Sequence, residues 1–408
     1  MMKHSAFHWV TAFTVAGCLL AAKTVDAQTP PASRAEALHQ ARHEKEQTAT
    51  PYQRNKLESA LHFLEAHPLF EREGLFASMG SLATGSGFAY GGGYRGSRIF
   101  DRHGMLSLWG SRSVRDYWAV ESRATFPQLA DGRLHLEAHA SKREYPREYF
   151  FGLGPDSLRI AQADYLNRTG AFGGKAGVRP TARLFAGGGV EFIKTRIETG
   201  EDDRIPSIER IYDETTAPGM SQQPGFIKTS AFVEFDYRQP KNARKGGWYR
   251  MNFGHFVDQD LGAYSFNRLD VDVQQFVSFL AERRVLVGRV AVSTSDVKAG
   301  QTVPFYLMPT LGGNDSLRGF RDYRFRGPHA ILLQGEYRWE LWSGLGAALF
   351  YDAGKVELTR EALGFRNLEH DYGFGFRFNT NNGVVLRIDA GFGSRDGRHL
   401  FIVFGSRQ

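Results

Sequence analysis

The sequence predicts an all-β fold, a sixteen-stranded antiparallel transmembrane β-barrel with a short N-terminal helical segment. Three observations carry that prediction. The chain opens with an export signal. From about residue 85 onward, polar and apolar residues alternate with a period of two over long stretches. The 408 residues include 46 glycines and 32 phenylalanines at a mean hydropathy of −0.38, and no apolar run past the signal is long enough for a membrane helix of about 18 residues.

The signal comes first. Lys3 sits in a short polar start, Trp9 to Ala22 is mostly apolar, and Val25-Asp26-Ala27 ends in a small-x-small pattern before Gln28. Residues 1–27 therefore read as a signal peptide cut after Ala27. The apolar run is too short for a helical anchor, and no stop-transfer segment follows. Val15-Ala16-Gly17-Cys18 also resembles a lipobox, although Leu19 to Ala22 stay apolar where a lipidated terminus turns polar. Cys18 is the single cysteine, so cleavage after Ala27 removes disulfides, thiol chemistry and cysteine-held metals from the mature chain. The net charge of +7 is spread without a basic block. That pattern fits loops beside outer-membrane lipids and gives no reason to expect nucleic acid. Residues 28–74 read as a linker with a short amphipathic helix, in which Leu57, Leu61 and Leu64 share one face of 52–69.

The barrel is expected over 75–408. In 333–341, Gln334, Glu336, Arg338 and Glu340 fall on one face and Leu333, Tyr337, Trp339 and Leu341 on the other. In 372–379 the aromatics Tyr372, Phe374, Phe376 and Phe378 alternate with Gly373, Gly375, Arg377 and Asn379. Such alternation over 8–10 residues describes a strand with one wet and one apolar face. A soluble sandwich would show the same period. Strand length, aromatics near strand ends and charged inner faces favour a membrane barrel instead. Strands are expected near 76–83, 85–95, 103–113, 115–127, 131–143, 163–178, 181–196, 226–238, 246–257, 263–280, 283–295, 330–342, 344–354, 370–380, 383–393 and 398–406. The first is weak and is required by the even strand number of such barrels. Long outer loops are expected at 144–162, 197–224 and 296–329.

The last of these loops carries Ser316-Leu317-Arg318-Gly319-Phe320. By alternation, Glu336 and Asp352 face the lumen on the two strands that follow. A guanidinium presents a rigid fork of donors matched to carboxylates, so an inward-folded loop would let Arg318 reach both acids. Spacing alone equally allows Arg318 to stay exposed while the acids pair with Arg338 and Arg377.

LGG…SLRGF at 311–320, GEYRWE at 335–340 and LFYDAG at 349–354 resemble the BamA/TamA superfamily of outer-membrane insertases and translocators, the bacterial surface antigen family. A further likeness lies in FFGLGPDS at 150–157. The resemblance implies that the loop motif Leu317, Arg318, Gly319 and Phe320 belongs to a sixth outer loop folded into the lumen. It also implies that Glu336 and Asp352 are the acid partners of Arg318, with Phe350 and Gly354 completing a strand motif around Asp352. Members commonly carry periplasmic polypeptide-transport-associated domains, for which 28–74 is too short. They also commonly end on an aromatic, whereas Phe404 here is followed by four more residues.

The expected function is assistance in inserting or translocating polypeptides, or lipids, at the outer membrane, with unfolded polypeptides as partners. The alternative is a passive pore or structural barrel plugged by loop six. No enzyme is expected, and no cofactor. Neither G-x-S-x-G nor H-E-x-x-H occurs. His135, Glu137 and His139 share one strand face, but alternate strand residues stand nearly 7 Å apart, a poor cage for a metal.

Overall fold

Alternating side chains commit each strand to a wall with two unlike faces, and the strands follow one another around that wall in chain order. A computed structural model describes residues 73–404, apart from 84, 100–103, 240–243, 281–282, 343 and 381–382. The expected signal peptide and the helix at 52–69 lie outside the described residues.

The strands are β1 (Gly74–Gly80), β2 (Ala89–Ile99), β3 (Gly104–Ser113), β4 (Trp118–Gln128), β5 (Leu134–Phe150), β6 (Ala163–Thr181), β7 (Leu184–Thr199), β8 (Gly225–Asp236) and β9 (Gly246–Asp258). They continue with β10 (Phe266–Phe279), β11 (Arg284–Val297), β12 (Thr310–Leu311), β13 (Phe325–Arg326), β14 (His329–Trp342), β15 (Leu345–Glu357), β16 (Glu369–Thr380), β17 (Gly383–Ser394) and β18 (Gly397–Phe404). All but β12 and β13 form one 16-stranded antiparallel sheet, in which β11 pairs directly with β14. β1 and β18 return beside each other and nearly close the barrel. Among the described residues no ladder joins them.

Register sorts the faces as alternation requires. On β15, Leu349 and Tyr351 are 50% and 52% exposed, whereas Phe350 and Asp352 are 4% and 0% exposed. On β16, Tyr372, Phe374 and Phe376 point out and Arg377 is buried within. The outer wall is apolar and aromatic; the lumen is charged.

Two differences from the expected strands matter. β5 runs on to Phe150, so the first part of the loop expected at 144–162 is strand. Here Phe150 and Tyr165 of β6 pack with Phe305, which lets the strands extend beyond the band and wall the loops. The loop expected at 296–329 also holds the small β12–β13 pair, Thr310 opposite Arg326 and Leu311 opposite Phe325.

Loops alternate in length around the barrel. The connections 151–162, 200–224, 298–328 and 358–368 gather at one end, and the turn at 182–183 lies at the other. Counted at the long-loop end, 298–328 is the sixth.

Candidate functional site: the loop-six cluster

Loop six folds back against the inner wall because it offers that wall both an apolar plug and a cation. Leu317 and Phe320 are fully buried and join Leu311, Phe325, Ala330, Leu332 and Val356 in one apolar cluster. Phe320 meets Phe325 edge-on at 5.1 Å. Gly312 and Gly313 take φ of 115° and 97°, a left-handed conformation that costs other residues dearly, and the loop turns there. The Gly313 amide then donates to the carbonyls of Leu317 and Phe320 at 3.1 and 3.2 Å.

The turn delivers Arg318, 3% exposed, to the acids of the wall. Its Nε and Nη2 donate to the two Asp352 oxygens at 2.7 and 2.8 Å, and Nη1 donates to Glu336 Oε2 at 2.9 Å. The guanidinium carbon lies 3.5 Å from the centroid of the Phe350 ring. Burial pulls the guanidinium pKa down, but its hydrogen bonds to Asp352 and the charges of Glu336, Asp352 and Asp389 carry it above the ordinary arginine value. The cation is therefore permanent.

The structure thus places Leu317, Arg318, Gly319, Phe320, Glu336, Phe350 and Asp352 in one cluster. Gly354 borders it: a Cβ there would meet the Leu311 side chain at 3.1 Å and the Ile331 carbonyl at 2.7 Å. Gly319 lies flat on Asp371, and its carbonyl accepts from Ser394 Oγ. Asp371 is fully buried and stands opposite Asp352 in register.

Glu336 also accepts from Arg338 Nε at 2.7 Å and Arg377 Nη2 at 3.0 Å. Arg338 and Arg377 therefore share the acid with Arg318 and do not replace it. Sequence reasoning missed Asp389 on β17, which takes Arg377 and, at 3.2 Å, Arg387. The period-two pair Arg387 and Asp389 in an apolar strand was the available signal. Gln334 lies on the expected lumen face, with a role that alternation does not show. It donates to Asp352 Oδ1 at 3.1 Å and to the Ser316 carbonyl at 2.8 Å.

Two further arginines of the same loop were also missed. Arg324 is 1% exposed and donates from Nε to Asp396 Oδ2 in the β17–β18 turn at 2.8 Å. It also donates to the Ser157 hydroxyl and carbonyl, both at 2.8 Å. The FFGLGPDS segment is thus a docking wall for loop six. Arg326 donates to the Phe305 carbonyl and to Tyr165 Oη, both at 2.9 Å. Loop six is consequently bonded to β6 and the 151–162 loop on one side and to β14, β15, β17 and the β17–β18 turn on the other.

Beside the loop a polar cavity of about 750 Å³ remains in the lumen, lined by Arg143, Arg250 and Arg289 as well as Glu148, Asp270 and Asp272. His135, Glu137 and His139 stand along the β5 wall. Glu137 pairs with Arg123 at 3.3 Å and Lys175 at 3.2 Å, and His139 pairs with Glu191 at 3.0 Å.

Comparisons with known proteins agree with this architecture. The model of the Omp85 superfamily domain matches residues 106–398. BamA from Haemophilus ducreyi, in a crystal structure lacking POTRA domains 1–3, is similar with a TM-score of 0.61 at 15% identity, over 82% of this chain and 70% of that one. CdiB from Escherichia coli gives 0.55 at 13% identity over 82% and 62%, and CdiB from Acinetobacter baumannii gives 0.50 at 12% over 81% and 58%. The chain spans less than two thirds of either CdiB. No curated protein matches in sequence.

Proposed function

The chain belongs to the Omp85 superfamily, a family of outer-membrane β-barrels, and from that premise we propose that it assists the insertion or translocation of polypeptides, or of lipids, at the outer membrane. The observation that supports this reading is that, among the described residues, no ladder joins the neighbouring strands β1 and β18. An edge strand presents a row of unpaired N–H and C=O groups, which templates the addition of another strand. β1 has 7 residues and β18 has 8, against 14 for β10 or β11. Short edges of this kind offer few backbone groups to hold a seam. Loop six, latched through Arg318 to Asp352 and Glu336, ties β14 and β15 into one wall beside that seam.

The chemistry needed is exchange of backbone hydrogen bonds, with no covalent step and no catalytic side chain. Membrane-exposed backbone groups left unpaired cost several kcal/mol each. A seam that lends its edges to an incoming strand lowers that barrier.

The test is reconstitution of the purified chain in vesicles with an urea-unfolded outer-membrane barrel as client. Faster client folding than with an unrelated barrel of similar size is expected, and a disulfide engineered between β1 and β18 abolishes it. Unchanged client folding together with steady conductance in planar bilayers would establish the passive-pore alternative.

A further inference from the structure

The outward face of β5–β7 departs from the apolar wall on either side. Val120, 47% exposed, stands opposite Lys142 in register, Lys142 opposite Gly170, and Gly170 opposite Lys194. One step nearer the long loops, Trp118 stands opposite Glu144, Glu144 opposite Arg168, and Arg168 opposite Arg196. These rows share the outer face with Phe172 and Val190, 59% and 56% exposed. Four cations thus surround one glycine on the outside of the barrel.

The height of the cradle is set by strand geometry. About 9–11 tilted residues cross the hydrocarbon, and β5 begins at Leu134 at the short-turn end. Lys142 and Glu144 therefore reach the headgroup level on the long-loop side. The floor is open, since a Cβ on Gly170 would come no nearer than 4.0 Å to the Ser141 carbonyl. Lys142 and Lys194 flank it one strand to either side, about 10 Å apart by strand spacing. Their stems can fold over one group seated between them.

The charge is incompletely answered by the protein. Arg168 pairs with Glu144 and with Glu198 at 2.8 Å, and Lys194 pairs with Asp260 at 2.9 Å. Among the described residues neither Lys142 nor Arg196 has an ion-pair partner; Lys142 lies 5.9 Å from the Trp118 ring. Like charges directly opposite on paired strands repel, and Arg196 stands opposite Arg168, whose own charge is answered by Glu144 and Glu198. Just below, Phe172 and Phe192 pair at 5.3 Å on the lipid side.

We propose that this cradle binds the phosphate of a phosphorylated glycolipid of the outer leaflet, with the phosphate over Gly170 and the acyl chains lying along Phe172 and Phe192. Charge selects the headgroup, since each juxtamembrane cation contributes to the attraction of anionic lipid, and the aromatic pair selects a lipid over a free phosphate. The site stands apart from polypeptide insertion, because lipid retention is measured with no client present.

Native mass spectrometry of the purified barrel, with diphosphorylated lipid A and its fully dephosphorylated form as probes, tests this. The intact chain retains the phosphorylated probe about tenfold more strongly, and Lys142→Ala/Arg196→Ala loses that preference. Lys142→Arg/Arg196→Lys keeps it. Should the alanine pair fail to assemble, Gly170→Asp, whose side chain enters open space, places an acid in the same cradle and abolishes the preference. Equal retention of the two probes by the intact chain, or an undiminished preference in an assembled alanine pair or Gly170→Asp barrel, overturns the proposal.

Discussion

Arg318 grips Asp352 with two parallel N–H···O bonds, at 2.7 and 2.8 Å, while its third nitrogen holds Glu336 at 2.9 Å. The three residues come from a loop and two strands, and all are nearly inaccessible to solvent. A buried pair is costly to assemble and costlier to break, because truncating one partner strands the other's charge.

Arg318→Ala is therefore expected to weaken loop-six docking by about 3–5 kcal/mol. Arg318→Lys keeps the charge but loses the fork, and costs about 2 kcal/mol. Limited proteolysis of vesicle-embedded protein reads both, with cleavage inside 312–324 rising in the order wild type, lysine, alanine.

Gly319→Ala tests the close approach without touching a charge. The added methyl would collide with the Asp371 side chain and come within 3.3 Å of the Phe392 carbonyl. Overpacking of this kind costs about 1–3 kcal/mol. Loop cleavage should rise as it does in Arg318→Lys while barrel assembly, followed by gel mobility before and after heating, stays intact.

Arg324 holds the far end of the loop. Arg324→Ala would leave Asp396 buried without its cation, at about 3–5 kcal/mol, and loosen the β17–β18 turn, which Arg159 and Arg395 would still bond to the 151–162 loop. Amide exchange should quicken in β18 and the β17–β18 turn, and β5 should keep its protection. Equal quickening throughout the barrel would mean that Arg324 supports assembly in general.

Asp322 gives loop six a dependence on pH. Burial, and then the charge of Asp315, push its carboxyl up to about 7, against the opposing pull of Arg115 and Arg321. Its Oδ2 would lie 2.9 Å from a Cβ on Gly85, in the β1–β2 connection. An acid raised above its unfolded value stabilises the fold when protonated. That stabilisation is complete below about pH 4 and is lost as pH rises through about 7. Loop-six protease protection should decline over that window in the wild type and stay flat in Asp322→Asn.

Much of this was legible in the sequence, for reasons that differ by element. Alternation placed β14 and β15 and put Glu336 and Asp352 on their lumen faces, because period two depends only on which neighbours are apolar. Parity supplied the first strand, expected near 76–83 and found at Gly74–Gly80, which its own residues scarcely announce. The reach of Arg318 was not legible from spacing, since a loop of thirty-odd residues reaches many walls; the motif resemblance supplied the direction. Arg324, Asp396 and Ser157 meet across 72 and 167 positions. Nothing local marks such a meeting. β12 and β13 have two residues each, too few to show a period at all.

The most direct measurement of the central claim is a double-mutant cycle of Arg318→Ala and Asp352→Ala, read by amide exchange of loop six in vesicles. The account predicts that the two substitutions share their effect, with a coupling of about 2 kcal/mol or more. Additive effects, with a coupling near zero, would contradict it: loop six would then be held by Leu317 and Phe320 alone, and Arg318 would latch nothing.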